Sequence, residues 1–217
     1  MKLIQNANQR RIEGIAAAVC RLLPQGAMRV LDVGCGDGSL ARQISQQRSD
    51  LEFEGVEVVL PGERHVPMQQ YDGATLPYAD HVFDAVLCAD MLHHTESPLR
   101  VLQEACRVAR RYVVVKDHVC DTLLDRVLLT GMDWLGNVGS GVPLPFRFLS
   151  STQWHELFAA LPFEEFGRID ALQYWGWPMR IIVDRRFHFV AVLQRTASGE
   201  GCVGQWAGVG VGAANCG

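Results

Sequence analysis

The stretch MRVLDVGCGDG, residues 28–38, decides the fold of this chain. Its first half, residues 28–33, is short and largely apolar, as in a buried strand, and it runs directly into three glycines. A helical pattern follows over about 39–48, and a second strand pattern covers 51–59. Strand, glycine turn, helix and strand in this order form a βαβ unit, and such units build parallel sheets.

Strand and helix patterns continue to alternate on both sides of this unit. Ser97-Pro98 marks the start of a further helix, because serine caps helices and proline suits the first helical position. The alternation predicts a doubly wound, Rossmann-like α/β domain with helices on both faces of the sheet. The other predicted elements are helices over 5–23 and 151–161 and strands over 81–89 and 112–116.

The C-terminal half departs from this alternation. Residues 121–150 combine a helical pattern with a Gly- and Pro-rich loop, which predicts an insert or lid on the acceptor side of the site. Strand patterns within 163–175 and 184–195 predict an antiparallel hairpin at the sheet edge. The Gly-rich segment 196–217 has no periodicity, so we expect a flexible tail outside a domain that covers 1–195.

Composition excludes several classes of protein. The 217 residues are 48% hydrophobic and 20% charged, with a formal net charge of −4, so the chain does not look like a nucleic-acid binder. No apolar run is long enough to cross a membrane. The N-terminal residues turn polar at once, unlike a secretory signal, which predicts a cytoplasmic protein.

The cysteines indicate neither disulfides nor a metal site. They are odd in number and no two have the C-x-x-C spacing, so the sequence predicts reduced thiols and no bound metal. Cys88 and Cys106 fall on apolar faces, where a free cysteine behaves as a small hydrophobe. The seven positions are 20, 35, 88, 106, 120, 202 and 216.

The glycine loop has two competing interpretations. A dinucleotide fingerprint requires a third glycine at position 39, but Ser39 stands there. Asp32 and Asp37 add negative charge where a pyrophosphate would bind, and this repulsion disfavours it. A neutral or cationic nucleoside ligand therefore fits the loop better, although the glycines alone are also compatible with a simple tight turn.

Two acidic positions support a nucleoside ligand. Glu57 ends the second strand, where a carboxylate accepts hydrogen bonds from ribose hydroxyls. Asp72-Gly73 follows the third strand position, within reach of a purine amino group. Taken alone, Glu57 is compatible with a solvated strand end, and Asp72-Gly73 is compatible with an ordinary turn. Together these positions share the carboxyl edge of the predicted sheet, where open α/β sheets bind ligands.

Four sequence blocks, in order, carry a resemblance to a known family. They are VLDVGCGDG, GVEVV, YDGATLPYADHVFDAVLCADMLHH and LQEACRVARRYVVV. The chain resembles the class I S-adenosylmethionine-dependent methyltransferases of the small-molecule, type 11 kind, tightly over 25–120 and loosely to 195. The resemblance implies a seven-stranded sheet whose last strand is antiparallel.

The resemblance also implies roles for matching positions. Glu57, where the family commonly has Asp, would bind the ribose hydroxyls of S-adenosylmethionine, and Asp72 and Gly73 would meet its adenine. Ala89 and Asp90 would flank the sulfonium. The loop around the methionine part would consist of Asp32, Gly34, Cys35, Gly36 and Gly38.

Four polar residues at the same edge are candidates for catalysis. His93 and His94 follow the fourth strand, and Asp117 and His118 follow the fifth. Histidine titrates near pH 6.5, so an imidazole here can take a proton from an acceptor, and His94 is the first to test. The alternative is that these residues cap a helix or hold a loop.

Aromatic and apolar residues in the insert and hairpin turn predict a small hydrophobic or aromatic acceptor. They are Trp134, Leu144, Phe146, Phe148, Trp175 and Trp177. The sequence thus predicts a methyltransferase that acts on a small molecule by in-line displacement and leaves its oligomeric state open. A non-catalytic methyltransferase-like partner protein and, less favoured, an NAD(P)-binding oxidoreductase stay open as alternatives.

Overall fold

The computed structural model describes residues 2–137, 147–170, 172 and 187–197. The helices are α1 (Lys2–Leu22), α2 (Ser39–Gln47), α3 (Pro98–Val108), α4 (Leu123–Asn137) and α5 (Ser151–Ala159). The strands are β1 (Met28–Val33), β2 (Leu51–Glu57), β3 (Met68–Gln70), β4 (Phe83–Ala89), β5 (Ala109–His118), β6 (Phe163–Asp170) and β7 (His188–Arg195).

The strands form one seven-stranded sheet in the order β3-β2-β1-β4-β5-β7-β6. The first five of these pair in parallel, whereas β7 runs antiparallel to both β5 and β6. This confirms the predicted doubly wound class with an antiparallel C-terminal pair. Parallel pairing brings the carboxyl ends of β1, β2, β4 and β5 to one edge, where open sheets of this type bind ligands.

Alternate residues of the central strands enter two separate cores. Val113 and Val115 of β5 pack on the face covered by α3 and α5, while Val114 packs on the face covered by α1 and α2. Because side chains alternate along a strand, a strand covered on both faces must be apolar at nearly every position. This explains the continuous YVVV run in the sequence.

Helix boundaries follow the predicted caps. Ser97 precedes α3 and its side chain accepts a hydrogen bond from the Arg100 N–H, with Pro98 at the first helical position. Ser150 precedes α5 and forms a capping box with Gln153. Among the described helices, none is long and apolar enough to cross a membrane.

Strand ends differ from the prediction in one place that affects the site. β5 extends over ten residues, so Asp117 and His118 are its last two residues rather than part of a loop that follows it. The extension occurs because β7 pairs with β5 as far as His118, opposite His188. The antiparallel ladder with β7 therefore fixes the position of Asp117, which the sequence analysis placed after the end of the strand.

Candidate functional site

The glycine loop follows β1 and has a left-handed backbone at Gly34, Gly36 and Gly38. The φ angle is 81° at Gly38, where an added Cβ would lie 2.7 Å from Val66 Cγ2. The φ angle is 55° at Gly36, but a Cβ there would meet nothing within 4 Å. Packing requires glycine at position 38, whereas the space in front of Gly36 is open to a ligand.

A cleft of about 230 Å³ lies between α1 and this loop. Its lining is mostly acidic, with Asp32, Asp37 and Asp90, and Arg11 from α1 is the cation among its described lining residues. Of the predicted cofactor residues, those that line the cleft are Asp32, Gly34, Cys35, Gly36, Ala89 and Asp90. Gly38, Glu57, Asp72 and Gly73 lie outside its lining.

Glu57 is nonetheless held directly against the loop. One carboxylate oxygen accepts a hydrogen bond from the Gly36 N–H at 2.8 Å, and the other accepts one from the Val58 N–H at 2.8 Å. Each carboxylate oxygen has a second acceptor site. The side chain is therefore fixed beside the open space at Gly36 and retains the capacity to accept hydrogen bonds from a ligand.

Asp72 and Gly73 form the turn that follows β3. Asp72 Oδ1 accepts hydrogen bonds from the Ala74 and Thr75 N–H groups, at 2.8 and 2.7 Å, and these bonds lower the pKa of the Asp72 carboxyl. Gly73 lies against Val58, since an added Cβ would be 3.3 Å from Val58 Cγ2. The turn at Asp72-Gly73 is therefore present, and it packs against Val58, the residue that follows Glu57.

Asp32 lies beneath the loop with only 2% of its surface exposed. Burial, reinforced by the negative charge of Glu57, raises the pKa of Asp32 to about 8. The adjacent Cys35 packs against β2, and burial raises the pKa of its thiol as well. Cys35 therefore remains a neutral thiol in the floor of the cleft, and Asp32 gains its charge readily only when a cation approaches.

Asp90 joins three elements at the end of β4. Its carboxylate binds the Arg11 guanidinium from α1 and the Lys116 ammonium from β5. Burial alone would raise the pKa of Asp90, but these two cations hold it well below its usual value. Lys116 is completely buried, which lowers its pKa against the attraction of Asp90, and its Nζ lies 3.4 Å from His188 Nδ1.

Beside Asp90 lies a second group that we call the histidine cluster: His93, Asp117 and His118. Asp117 Oδ1 is 2.6 Å from His93 Nδ1 and 3.2 Å from His118 Nδ1. Burial would raise the pKa of Asp117, but the two imidazoles hold it below its ordinary range. Burial, assisted by Lys116, lowers the pKa of His118. The fold thus brings together three of the four predicted catalytic residues.

His94 stands at the border of this cluster, in the single 3₁₀ turn Leu92–His94, with its ring centroid 4.0 Å from that of His93. Phe148 stacks on His93 with centroids 5.4 Å apart, so this predicted acceptor-side aromatic does adjoin the polar group. Trp134 is 57% exposed on α4. The other predicted pocket residues, Leu144, Phe146, Trp175 and Trp177, lie outside the described residues, as does 198–217 of the predicted tail.

Sequence reasoning missed three contributors: Arg11, Lys116 and His188. A lysine that ends a run of four apolar strand residues was a usable signal, because a lysine on a strand buried on both faces needs a charged partner. Arg11 and His188 carry no comparable mark. Their roles depend on where α1 and β7 dock, which is set by contacts distant in sequence.

Comparison with known proteins shows a similarity over the N-terminal part of the sheet. Residues 31–114 match a family model described as a methyltransferase domain. Over this segment the chain is similar to methyltransferase domains. The match begins within β1 and ends within β5, so the matched segment includes the glycine loop, Glu57, Asp72 and Asp90.

Curated relatives match the methyltransferase domain over different lengths. The ubiquinone biosynthesis O-methyltransferase of Vibrio cholerae is 29% identical over 92 residues, which are 38% of this chain and 38% of that protein. The uncharacterized methyltransferase YcgJ of Bacillus subtilis is 29% identical over 182 residues, 76% of this chain and 68% of that one. The chain therefore aligns with well under half the length of the Vibrio relative.

Among solved structures, magnesium protoporphyrin IX methyltransferase from Synechocystis, with bound SAH (S-adenosylhomocysteine), is similar in fold. Its TM-score is 0.59 at 17% sequence identity, and the alignment covers 90% of this chain and 86% of that one. The similarity at this identity is one of fold alone, and it covers most of both chains. The substrate in its name is that of the Synechocystis enzyme.

Proposed function

We propose that this protein transfers a methyl group from S-adenosylmethionine to a small organic acceptor. The observation that carries the proposal is the cleft between α1 and the glycine loop, at the carboxyl edge of β1 and β4. When bound, the cofactor supplies a methyl group on a positively charged sulfur. The chain's contribution is to bind it, orient it and align the acceptor, and alignment alone is worth up to about 7–11 kcal/mol.

The charges in the cleft match the amino-acid end of this cofactor. That end bears an ammonium and a carboxylate close to the sulfonium. Asp32, which is buried and close to neutral, is placed to become charged when the ammonium and sulfonium of the cofactor lie beside it. Arg11 is placed to bind the carboxylate while it remains paired with Asp90.

The nucleoside part of the cofactor would bind at the carboxyl end of the neighbouring strand β2. Glu57, fixed by the Gly36 N–H, would accept hydrogen bonds from the ribose hydroxyls. Asp72 and Gly73 would border the adenine, together with the exposed Val58. A dinucleotide fits less well, since Asp37 and Glu57 would repel its pyrophosphate. The oxidoreductase alternative is accordingly weaker.

We place the acceptor on the side where β4 and β5 end. Phe148 offers an apolar surface there, and His93, His94, His118 and Asp117 offer polar groups. The ubiquinone biosynthesis O-methyltransferase and the structurally similar magnesium protoporphyrin IX methyltransferase are named for small organic molecules, which favours an acceptor of that class. We further propose that the protein is cytoplasmic.

Within this arrangement His94 is the imidazole that we propose takes a proton from the acceptor. Replacement by alanine should lower turnover on the true acceptor while S-adenosylhomocysteine affinity stays within about twofold. Wild-type turnover in His94→Ala would exclude it as the base.

Calorimetry with S-adenosylhomocysteine tests the cofactor assignment directly. We expect micromolar binding by the wild type, binding lost in Glu57→Ala, and binding retained in Glu52→Ala, an exposed glutamate on the same strand. Absence of binding by folded wild-type protein would refute the methyltransferase proposal. The alternative of a non-catalytic partner protein would then become the leading one.

A further inference from the structure

The histidine cluster has the composition of a metal site. One ligand atom from each of His93, Asp117 and His118 lies within 4.8 Å of the other two, on the 3₁₀ turn after β4 and on the last two residues of β5. Side-chain exposure is 3% at His93, 1% at Asp117 and 15% at His118. Three ligand atoms from two rigid elements therefore converge beneath the surface without any C-x-x-C or similar sequence signal.

The two carboxylate oxygens of Asp117 differ in their hydrogen bonding. Its Oδ1 is within hydrogen-bond distance of three donors: the two imidazole Nδ1 atoms and the His118 backbone N–H at 2.8 Å. Its Oδ2 is buried and has no hydrogen-bond partner among the described residues. A buried carboxylate oxygen without a partner is costly, and a cation is one way to satisfy it.

We propose that His93, Asp117 and His118 bind a divalent transition-metal ion such as Zn²⁺, Co²⁺ or Fe²⁺. Imidazole nitrogens suit these ions, and a set of two histidines and one carboxylate leaves coordination positions open. An imidazole that binds the ion through Nδ1 would give up its hydrogen bond to Asp117 Oδ1 and carry its proton on Nε2. The inference goes beyond the proposed methyl transfer and does not depend on it.

The surroundings hold the three ligands in place. The His118 backbone oxygen accepts a hydrogen bond from Trp154 Nε1 at 2.8 Å, and Phe148 covers one face of the His93 ring. Partners of this kind orient metal ligands and often matter nearly as much as the ligands. The nearby cation Lys116 forms its direct ion pair with Asp90 and also attracts Asp117 electrostatically.

An ion at this position would adjoin the acceptor side of the site. An open coordination position binds oxygen, and a coordinated hydroxyl gives up its proton at lower pH than a free one. The expected ligand is therefore an acceptor hydroxyl. His94, which is not one of the three donors, remains placed to receive the proton.

The test measures metal binding to untagged, chelator-treated full-length protein with no cofactor present. Titration with Co²⁺ should give one saturable site and visible d–d absorption, and Zn²⁺ should displace the Co²⁺. Asp117→Asn and His118→Gln should each weaken Co²⁺ binding by more than about tenfold, the loss that follows removal of even an outer-shell partner. His155→Gln, an exposed histidine on α5, should bind Co²⁺ as the wild type does.

Two results would overturn the proposal: no saturable Co²⁺ site in the wild type, or wild-type affinity in both cluster variants. If either variant is unfolded by circular dichroism, His93→Gln replaces it in the same titration. S-adenosylhomocysteine binding, measured separately without metal, distinguishes a failed metal site from a failed cofactor site.

Discussion

The two halves of the candidate site share one edge of the sheet but are built in opposite ways. The cofactor half consists of backbone turns, open space and carboxyl groups around Gly36, Asp32 and Glu57. The acceptor half is a dense group of buried charges and imidazoles around Asp90, Asp117 and Lys116. An open half receives a flexible, charged ligand, whereas a closed half holds a few groups in fixed positions at considerable cost in desolvation.

The largest effect is expected in the closed half. Lys116→Met removes a completely buried cation from Asp90 and should reduce the free energy of unfolding by about 3–5 kcal/mol, as when other buried ion pairs lose one partner. Urea denaturation measures the change. The matched control is Glu165→Gln, which breaks an exposed pair with Arg168 and should cost less than about 1 kcal/mol. Equal losses in the two variants would contradict the contrast between the halves.

In the open half, two glycines that share a left-handed backbone conformation should respond differently to replacement by alanine. Gly38→Ala combines an unfavourable φ with the close approach of Val66, for a stability loss of about 2–3 kcal/mol. Gly36→Ala carries only the backbone cost of about 1–2 kcal/mol, but its methyl group enters the space proposed for the cofactor. Thermal melts with and without S-adenosylhomocysteine should thus show the larger destabilisation at 38 and the larger loss of ligand stabilisation at 36.

Arg11 lies between the two halves, and its substitution should lower the affinity for one of two related ligands and leave the other unchanged. Arg11→Gln should lower S-adenosylhomocysteine affinity by roughly 10- to 150-fold, which corresponds to a charged hydrogen bond of about 1.5–3 kcal/mol. Affinity for methylthioadenosine, which lacks the amino-acid end, should not change. Arg10→Gln, the exposed neighbour on α1, is the control for both ligands. A parallel loss for both ligands in Arg11→Gln would show that Arg11 does not contact the carboxylate.

The smallest effect, taken per pH unit, concerns Asp32. Its pKa is raised to about 8 in the folded chain from 3.8, so the folded state binds more protons between these values and stability falls as pH rises through this range. Asp32→Asn should remove a slope of at most about 1.4 kcal/mol per pH unit. Urea midpoints at pH 5, 6 and 7.5 measure it. Asp50, whose pKa is lowered to about 2 by its bond to Arg48, has the opposite sign, with stability lost as the pH falls.

The two halves also differ in how far the sequence predicted them. The cofactor half is encoded locally: Gly36 and Asp32 belong to one short motif, and Glu57 ends the next strand, so order and spacing were sufficient to predict their shared position. The acceptor half depends on pairing between distant segments. The β7 ladder extends β5 through Asp117 and His118, whereas the apolar pattern YVVVK predicted that the strand ends at Lys116.

The same distinction explains the charged residues that were missed. Lys116 interrupts an apolar strand and was a visible anomaly, but its partner Asp90 lies 26 positions away. Arg11 is 79 positions from Asp90 and follows no motif, so only the docking of α1 identifies it. Local chemistry predicts binding loops well, whereas buried ion networks require the fold.

The position of β7 between β5 and β6 affects the order in which the chain can fold during synthesis. β5 pairs on one side with β4, but on its other side it pairs with a strand that the ribosome produces 70 residues later, as His118 opposite His188 illustrates. Domains tend to fold as their segments emerge, from the N-terminus onward. The cofactor half can therefore assemble on a five-stranded nascent sheet, while the edge of β5 stays open and prone to misassociation until β7 arrives. Only then does β7 cover the edge of β5 beside the acceptor half.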